Sequence, residues 1–234
     1  MDARLTYLTK YLDGPRVLTH PRADDHAMAG LPGWWREALA VGRGERVGRT
    51  LRAWDAFRDQ LPGVVEHLGT HLRDVNLLTY TDRVTGGTPA VLLYELAHRD
   101  GPLFYAGGNP LARAPSAAVR AVWDRLPADF RRFHDTLHNG WCYLASDSMG
   151  PSRVEDCFII GSHEWGILDE IDDPGCDPND LLAVFSNGMG DHVTLTVGRR
   201  ESGGVLWWKD KPPQLGIEAW PVIDAWTVMG FDAD

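Results

Sequence analysis

Two of the three cysteines in this chain have histidines nearby in sequence, which is the combination that a cysteine hydrolase uses. Cys142 follows His134 and His138, and Cys157 precedes His163. A thiol nucleophile and a histidine base must come within hydrogen-bonding reach. No signature of a cysteine hydrolase surrounds either pair, and cysteine is commonly a small buried hydrophobic residue. We keep a cysteine-dependent hydrolase as an alternative and predict that the chain is not an enzyme.

Carboxylates crowd the stretch DEIDDPGCDPND, and such groups can bind calcium or cleave glycosides. An EF-hand loop alternates acids or Asn before its glycine, a spacing that Asp169, Asp172, Asp173 and Gly175 do not keep. Proximity in sequence, as between Glu164 and Asp169, does not establish the carboxyl geometry of a glycosidase. Scattered histidines and the absence of C-x-x-C spacing give no zinc pattern. The sequence therefore predicts neither a metal nor a cofactor.

The elements that must position these residues are clearest in two segments, of which the first, residues 126–141, is a predicted helix. Pro127 suits the first helical turn, where a missing N–H costs nothing. The pair Asn139-Gly140 provides the left-handed stop that ends many helices. Apolar residues recur at three and four positions and so share one face: Phe130, Phe133 and Leu137.

The second segment, residues 181–197, is predicted to form a strand, a tight turn and another strand. LLAVFS is an apolar run of strand length. The turn NGMGD, residues 187–191, can adopt positive φ at several positions. His192, Thr194 and Thr196 then alternate with apolar residues, as in a strand with one buried face.

In order and spacing, these segments resemble the SUKH superfamily, which includes bacterial immunity proteins that neutralise polymorphic toxins and fungal cell-wall regulators. The likeness covers roughly residues 114–231, with a further strand at 204–209 and an amphipathic helix near 218–229. The resemblance implies an antiparallel sheet with packed helices and a protein that binds another protein. The matching positions are Leu126, Pro127, Phe130, Phe133, Asn139 and Gly140, then Phe185, Asn187, Gly188, Gly190 and Asp191.

The predicted fold class is α+β, with a helical and β-hairpin region preceding the SUKH-like part. A Gly- and Pro-rich stretch at 107–115 is the best candidate boundary and divides residues 1–112 from 113–234. The alternative is that both parts belong to one globule. Periodicity and turn residues in the first part predict helices after Pro32-Gly33, at 46–60 and at 64–72, then strands at 76–81, 90–97 and 103–106.

Charge is distributed unevenly along the chain. From Trp141 onward there are 17 acidic and five basic residues, a net charge of −12, whereas the first 140 residues carry +2. No Lys or Arg occurs from Val154 to Gly198. Such a surface repels nucleic acid and attracts a basic protein by speeding encounter. The one basic patch contains six arginines and is expected to be solvated helix surface: Arg36, Arg43, Arg46, Arg49, Arg52 and Arg58.

The acidic stretch is interrupted by large apolar residues, a mixture that protein interfaces use. Two alternatives stay open: the acids are a solvated face that keeps the protein soluble, and Trp165 belongs to the core. The residues predicted to contact a partner are Glu164, Trp165, Asp169, Glu170, Asp172, Asp173, Asp177 and Asp180.

We therefore expect an immunity protein that occludes the active site of a basic toxin, with no nucleic-acid or membrane partner. The N-terminus MDARLTYLTKYLDG lacks the apolar centre of a signal peptide, and no apolar run is long enough to span a bilayer. An odd number of cysteines fits a reducing compartment, so the cytoplasm is the predicted location. The alternatives are a regulatory or scaffold module of the same fold and the cysteine-dependent hydrolase.

Overall fold

A computed structural model describes residues 3–21, 28–198 and 203–232 of the chain. Within these ranges, helices accompany two antiparallel sheets, which confirms the predicted α+β class. No helix in the described ranges has both the length and the apolarity needed to cross a bilayer. The helices are α1 (Ala3–Leu8), α2 (Gly33–Leu39), α3 (Arg43–Asp55), α4 (Pro62–His71), α5 (Ala117–Val122), α6 (Ala128–Arg132) and α7 (Ala219–Phe231).

The first sheet has five strands in the order β1-β2-β3-β4-β5, so each strand pairs with its neighbour in sequence. Its centre is the predicted hairpin, whose two strands carry continuous runs of buried residues on both faces, mostly apolar. The strands are β1 (Asp13–Leu18), β2 (Leu72–Thr81), β3 (Ala90–Leu96), β4 (Leu103–Gly107) and β5 (Trp141–Tyr143).

The second sheet has the order β11-β10-β9-β8-β6, and β7 also pairs with β8. The predicted strand, turn and strand of residues 181–197 form its centre as β8 and β9. The strands are β6 (Gly150–Pro151), β7 (Phe158–Ile159), β8 (Leu181–Ser186), β9 (His192–Thr196), β10 (Gly204–Trp207) and β11 (Gln214–Ile217).

The helix predicted at 126–141 is present and changes pitch along its length. After α6 the chain continues as a π-helical turn, Phe133–Leu137, and leaves the helix at His138, whose backbone is extended. Gly140 then adopts the left-handed conformation, with φ of +74°. The predicted apolar face is buried: Phe130, Phe133 and Leu137 are each at most 2% exposed.

One hydrophobic core crosses the predicted boundary between residues 112 and 113. Trp54 of α3 packs edge-on against Trp141 of β5 with ring centroids 4.8 Å apart, and β5 completes the sheet that begins in the N-terminal part. Helix α4 contacts α7, where the Asp224 carboxylate accepts hydrogen bonds from the first turn of α4. The two parts therefore bury apolar surface against each other.

Arg46 corrects the expectation that the arginines at 36–58 are all solvated. Its side chain is fully buried and donates to the Val75 carbonyl at 2.9 Å and the Asn76 amide oxygen at 3.1 Å. Asp74 lies 3.6 Å away, which supplies an opposing charge for the buried guanidinium. Helix α3 is thus bonded to β2 through an arginine that sequence periodicity places on a polar face.

Candidate partner-binding surface

The predicted partner-binding residues belong to a segment that covers the outer face of the second sheet. We call residues 154–180 the acid-rich segment. Its Ile160 is fully buried against Ala183, Val205 and Trp207 of the sheet. This cover corrects the prediction that β9 has a solvated face, because Thr194 is fully buried there and donates to the Val205 carbonyl at 2.9 Å.

The start of the acid-rich segment is held by Asn139, which follows the helical residues 128–137. The Asn139 amide nitrogen donates to both Glu155 carboxylate oxygens, at 2.8 and 3.0 Å, and its amide oxygen accepts from the Val154 backbone at 3.0 Å. Gly140 passes so close to Arg153 that a Cβ there would lie 2.5 Å from the Arg153 backbone nitrogen. The helix itself ends at Leu137, before an extended His138, so the prediction that Asn139-Gly140 ends the helix is wrong. The pair instead positions the acid-rich segment.

The turn at residues 187–191 is built around Asn187. Its side-chain oxygen accepts from the backbone nitrogens of Met189 and Asp191, at 2.8 and 3.1 Å, and Gly188 and Gly190 have φ of +79° and +103°. Asp191 accepts a hydrogen bond from the Lys209 backbone nitrogen at 2.9 Å. These bonds explain the residue types of the motif and connect the turn to the chain that follows β10.

Trp165 is fixed against the outer face of the sheet and remains partly exposed. Its indole nitrogen donates to the Ile160 carbonyl at 2.8 Å. The ring packs edge-on against Trp207 and His192, with centroid separations of 5.5 and 5.8 Å. Trp165 therefore fits both sequence interpretations in part. It packs on the hydrophobic cluster at the outer face of the second sheet, and part of its side chain is exposed.

A cavity of about 440 Å³ opens beside this ring, and we call it the Trp165 cavity. Three predicted residues line it, namely Glu164, Trp165 and Glu170. The turn and its neighbours complete the wall with Gly190, His192, Lys209 and Asp210. Burial lowers the pKa of His192, so this ring is favoured in its uncharged form.

The remaining predicted acids are distributed outside the Trp165 cavity. Asp177 and Asp180 border a smaller cavity of about 190 Å³, whereas Asp169, Asp172 and Asp173 are exposed and line neither cavity. Two carboxylates also stabilise their own loop. Asp173 accepts from the Gly175 backbone at 2.7 Å, and Asp177 accepts from the Asn179 backbone at 2.8 Å.

Sequence reasoning did not select His192, Lys209 or Asp210 for this site. Their only local signal is that each lies next to a strand end or turn. The pairing of Trp207 with His192 between β10 and β9 brings them together. That register depends on contacts distant in sequence, so spacing along the chain did not indicate it.

The cysteine and histidine pairs do not form a reactive arrangement in the described structure. The Cys142 and Cys157 thiols are buried and donate to backbone carbonyls, those of Pro151 and Arg153 at 3.4 and 3.3 Å. Burial raises the pKa of both thiols, which disfavours the nucleophilic thiolate. Among residues 3–21, 28–198 and 203–232, no group of three His, Cys, Asp or Glu side chains is arranged to hold a metal.

A search of protein-family models, of curated proteins and of solved structures finds no match to this chain.

Proposed function

We propose that this protein is an immunity protein of SUKH type, which binds a basic toxin in the cytoplasm and occludes its active site. The observation that carries the proposal is the exposure of every predicted acidic contact on a segment fixed to a sheet. The resemblance of residues 126–141 and 181–197 to SUKH proteins supports the same function. The exposed acids are Glu164, Asp169, Glu170, Asp172, Asp173, Asp177 and Asp180.

The electrostatics of the unbound protein favour such a partner. Four acidic side chains make no hydrogen bond or ion pair with the described residues: Glu164, Asp169, Glu170 and Asp172. Their like charges repel one another across a short segment, and an approaching cationic surface relieves that repulsion. Complementary charge mainly accelerates association and rejects wrong partners, while a few desolvated contacts provide affinity.

The experiment is co-expression with the protein encoded by the neighbouring reading frame, followed by co-purification and measurement of the association rate. Asp169, Glu170, Asp172 and Asp173 are changed together to Lys. We expect the association rate to fall by about tenfold or more at low salt, and the difference to shrink as salt screens the charges.

The matched control reverses four exposed acids outside the acid-rich segment: Glu37, Asp59, Glu66 and Asp124. It changes the net charge equally, so a similar loss of rate would reflect total charge alone. Unchanged association of the first variant would remove the acid-rich segment from the interface. A neighbouring protein that neither is toxic nor co-purifies would favour the regulatory alternative.

A further inference from the structure

We propose that the Trp165 cavity receives an arginine side chain of the partner, an inference that rests on the function proposed above. The cavity combines an aromatic wall with carboxylates at its rim. These are the two groups that a guanidinium ion can contact at once, through stacking and through paired hydrogen bonds. This arginine would be the central contact of a surface whose other acids mainly accelerate association.

The aromatic wall is held in place before any partner arrives. The bond from the Trp165 indole to the Ile160 carbonyl fixes the ring at one edge, and Trp207 supports it from the sheet. Trp207 itself is fully buried. A ring fixed in this way loses little conformational entropy on binding, and a cation over its face gains about 0.5–2 kcal/mol.

The charges around the cavity select a cation. Glu164, Glu170 and Asp210 supply three carboxylates, and Lys209 supplies one ammonium, which leaves a net charge of −2. The stem of Lys209 lies over Gly190, and Lys209 is exposed, so its charge is solvated. The side chains of Glu164 and Glu170 have no hydrogen-bond or ion-pair partner in the described residues, so both carboxylates remain available to a ligand.

Arginine fits these groups better than lysine or an apolar residue. Its planar fork can bond a carboxylate through two N–H groups while its face stacks on an aromatic ring, whereas an ammonium ion is a point charge without a planar fork or a flat face. An apolar side chain would cover the two glutamates without pairing them, and desolvating unpaired charges is costly. A guanidinium is the group that can both stack on the Trp165 ring and bond the carboxylates of Glu164 and Glu170.

The test titrates three small probes into isotopically labelled protein and follows the Trp165 indole resonance. The probes are N-acetyl-arginine amide, its lysine analogue and its citrulline analogue, which has almost the shape of arginine but no charge. We expect the arginine probe to shift the resonance at millimolar concentration, the lysine probe to bind several-fold more weakly and the citrulline probe to have no effect. An equal response to arginine and lysine would overturn the proposal.

Variants locate the response in the cavity. Glu164→Gln with Glu170→Gln should weaken the arginine probe by about tenfold, because both charge-assisted acceptors are lost. The matched control, Asp172→Asn with Asp173→Asn, removes the same charge from exposed acids outside the cavity and should change the affinity by less than about twofold. Similar losses in the two variants would show attraction to the whole acidic surface and would overturn the proposal.

The same variants separate this inference from the proposed function. A toxin that binds normally to Glu164→Gln with Glu170→Gln would leave the immunity function in place and remove the arginine anchor. If the arginine probe bound but the co-expression experiment found no toxin partner, the cavity would remain a guanidinium site and the immunity function would be wrong. Full support requires both the probe and the toxin to lose affinity in this variant and to keep it in the control.

Discussion

Gly140 lies between the helical residues 128–137 and strand β5, and it packs against Arg153 at the start of the acid-rich segment. Its φ of +74° disfavours any side chain, and a Cβ would also lie 2.5 Å from the Arg153 backbone nitrogen. We predict that Gly140→Ala lowers the free energy of unfolding by about 2 kcal/mol or more, as measured by urea denaturation.

Gly69 provides the control for this substitution. It lies in helix α4, is exposed, and a Cβ there would meet nothing within 4 Å. Gly69→Ala should raise stability by about 0.5–1 kcal/mol, because alanine favours the helix. If both variants changed stability in the same direction, the conclusion that the backbone at residue 140 requires glycine would be wrong.

A partly buried histidine, His67, and a fully buried one, His138, make the stability of the protein sensitive to acid. Burial, together with the neighbouring His71, lowers the pKa of His67 to about 4, and burial lowers the pKa of His138 to about 3. His67 stacks on Phe231 with a centroid distance of 3.9 Å, and the His138 ring nitrogen lies 2.6 Å from the Tyr94 hydroxyl.

Both values lie below the ordinary histidine pKa of about 6.5, so between pH 6.5 and 4 the unfolded chain binds protons that the native protein excludes. We predict that stability falls as the pH is lowered through this range, by at most about 1.4 kcal/mol per pH unit for each such histidine. Denaturation curves at several pH values measure the slope. His67→Phe, which keeps an aromatic ring, should reduce the slope, and an unchanged slope in this variant would contradict the role of His67.

At the scale of elements, helix α4 is capped by a residue of helix α7. The Asp224 carboxylate accepts from the backbone nitrogens of Gly63 and Val64, at 3.0 and 2.9 Å, at the end of α4 where the helix dipole favours negative charge. Asp224→Ala should destabilise the protein by about 1–2 kcal/mol in thermal denaturation.

Glu218 offers the comparison, since it precedes α7 and makes no capping hydrogen bond with its side chain. Glu218→Ala should leave stability nearly unchanged. A loss as large in this variant as in Asp224→Ala would mean that negative charge near α7, and not the cap on α4, supplies the stabilisation.

Elements defined by local periodicity were predictable, whereas elements defined by distant pairing were not. The central hairpin and helices α2–α4 show their apolar spacing within one stretch of chain. Strands β5, β6 and β7 contain only two or three residues each, so they exist because of the strands they pair with. The same reason applies to Arg46, whose acceptors lie about 30 residues away on β2.

At the candidate site, the sequence indicated which carboxylates are exposed and which residues shape the turn. It did not indicate that Glu164 and Glu170 border a cavity while Asp169 between them does not. That difference arises from the short 3-10 helix Gly166–Asp169, which turns neighbouring side chains in different directions. The other wall of the cavity depends on the register of β9 with β10.

For the whole molecule, the shared core predicts that the two parts depend on each other. Fragments 1–112 and 113–234 would each lose the contact of Trp54 with Trp141 and the pairing of β4 with β5. We predict that neither fragment alone gives a dispersed NMR spectrum and that co-expressed fragments recover it. Cooperative unfolding of fragment 113–234 by itself would instead establish the boundary predicted from the sequence.

In the acid-rich segment, the residues that pack on the second sheet are different from the residues exposed to solvent. Ile160 and Trp165 hold the acid-rich segment on the sheet, whereas the exposed side chains of Asp169 and Asp172 make no hydrogen bond or ion pair with the described residues. Substitutions at such positions cost little stability. The exposed acids can therefore change without disturbing the frame at Asn139 and Asn187, so under the proposed function one scaffold could acquire new partners without refolding.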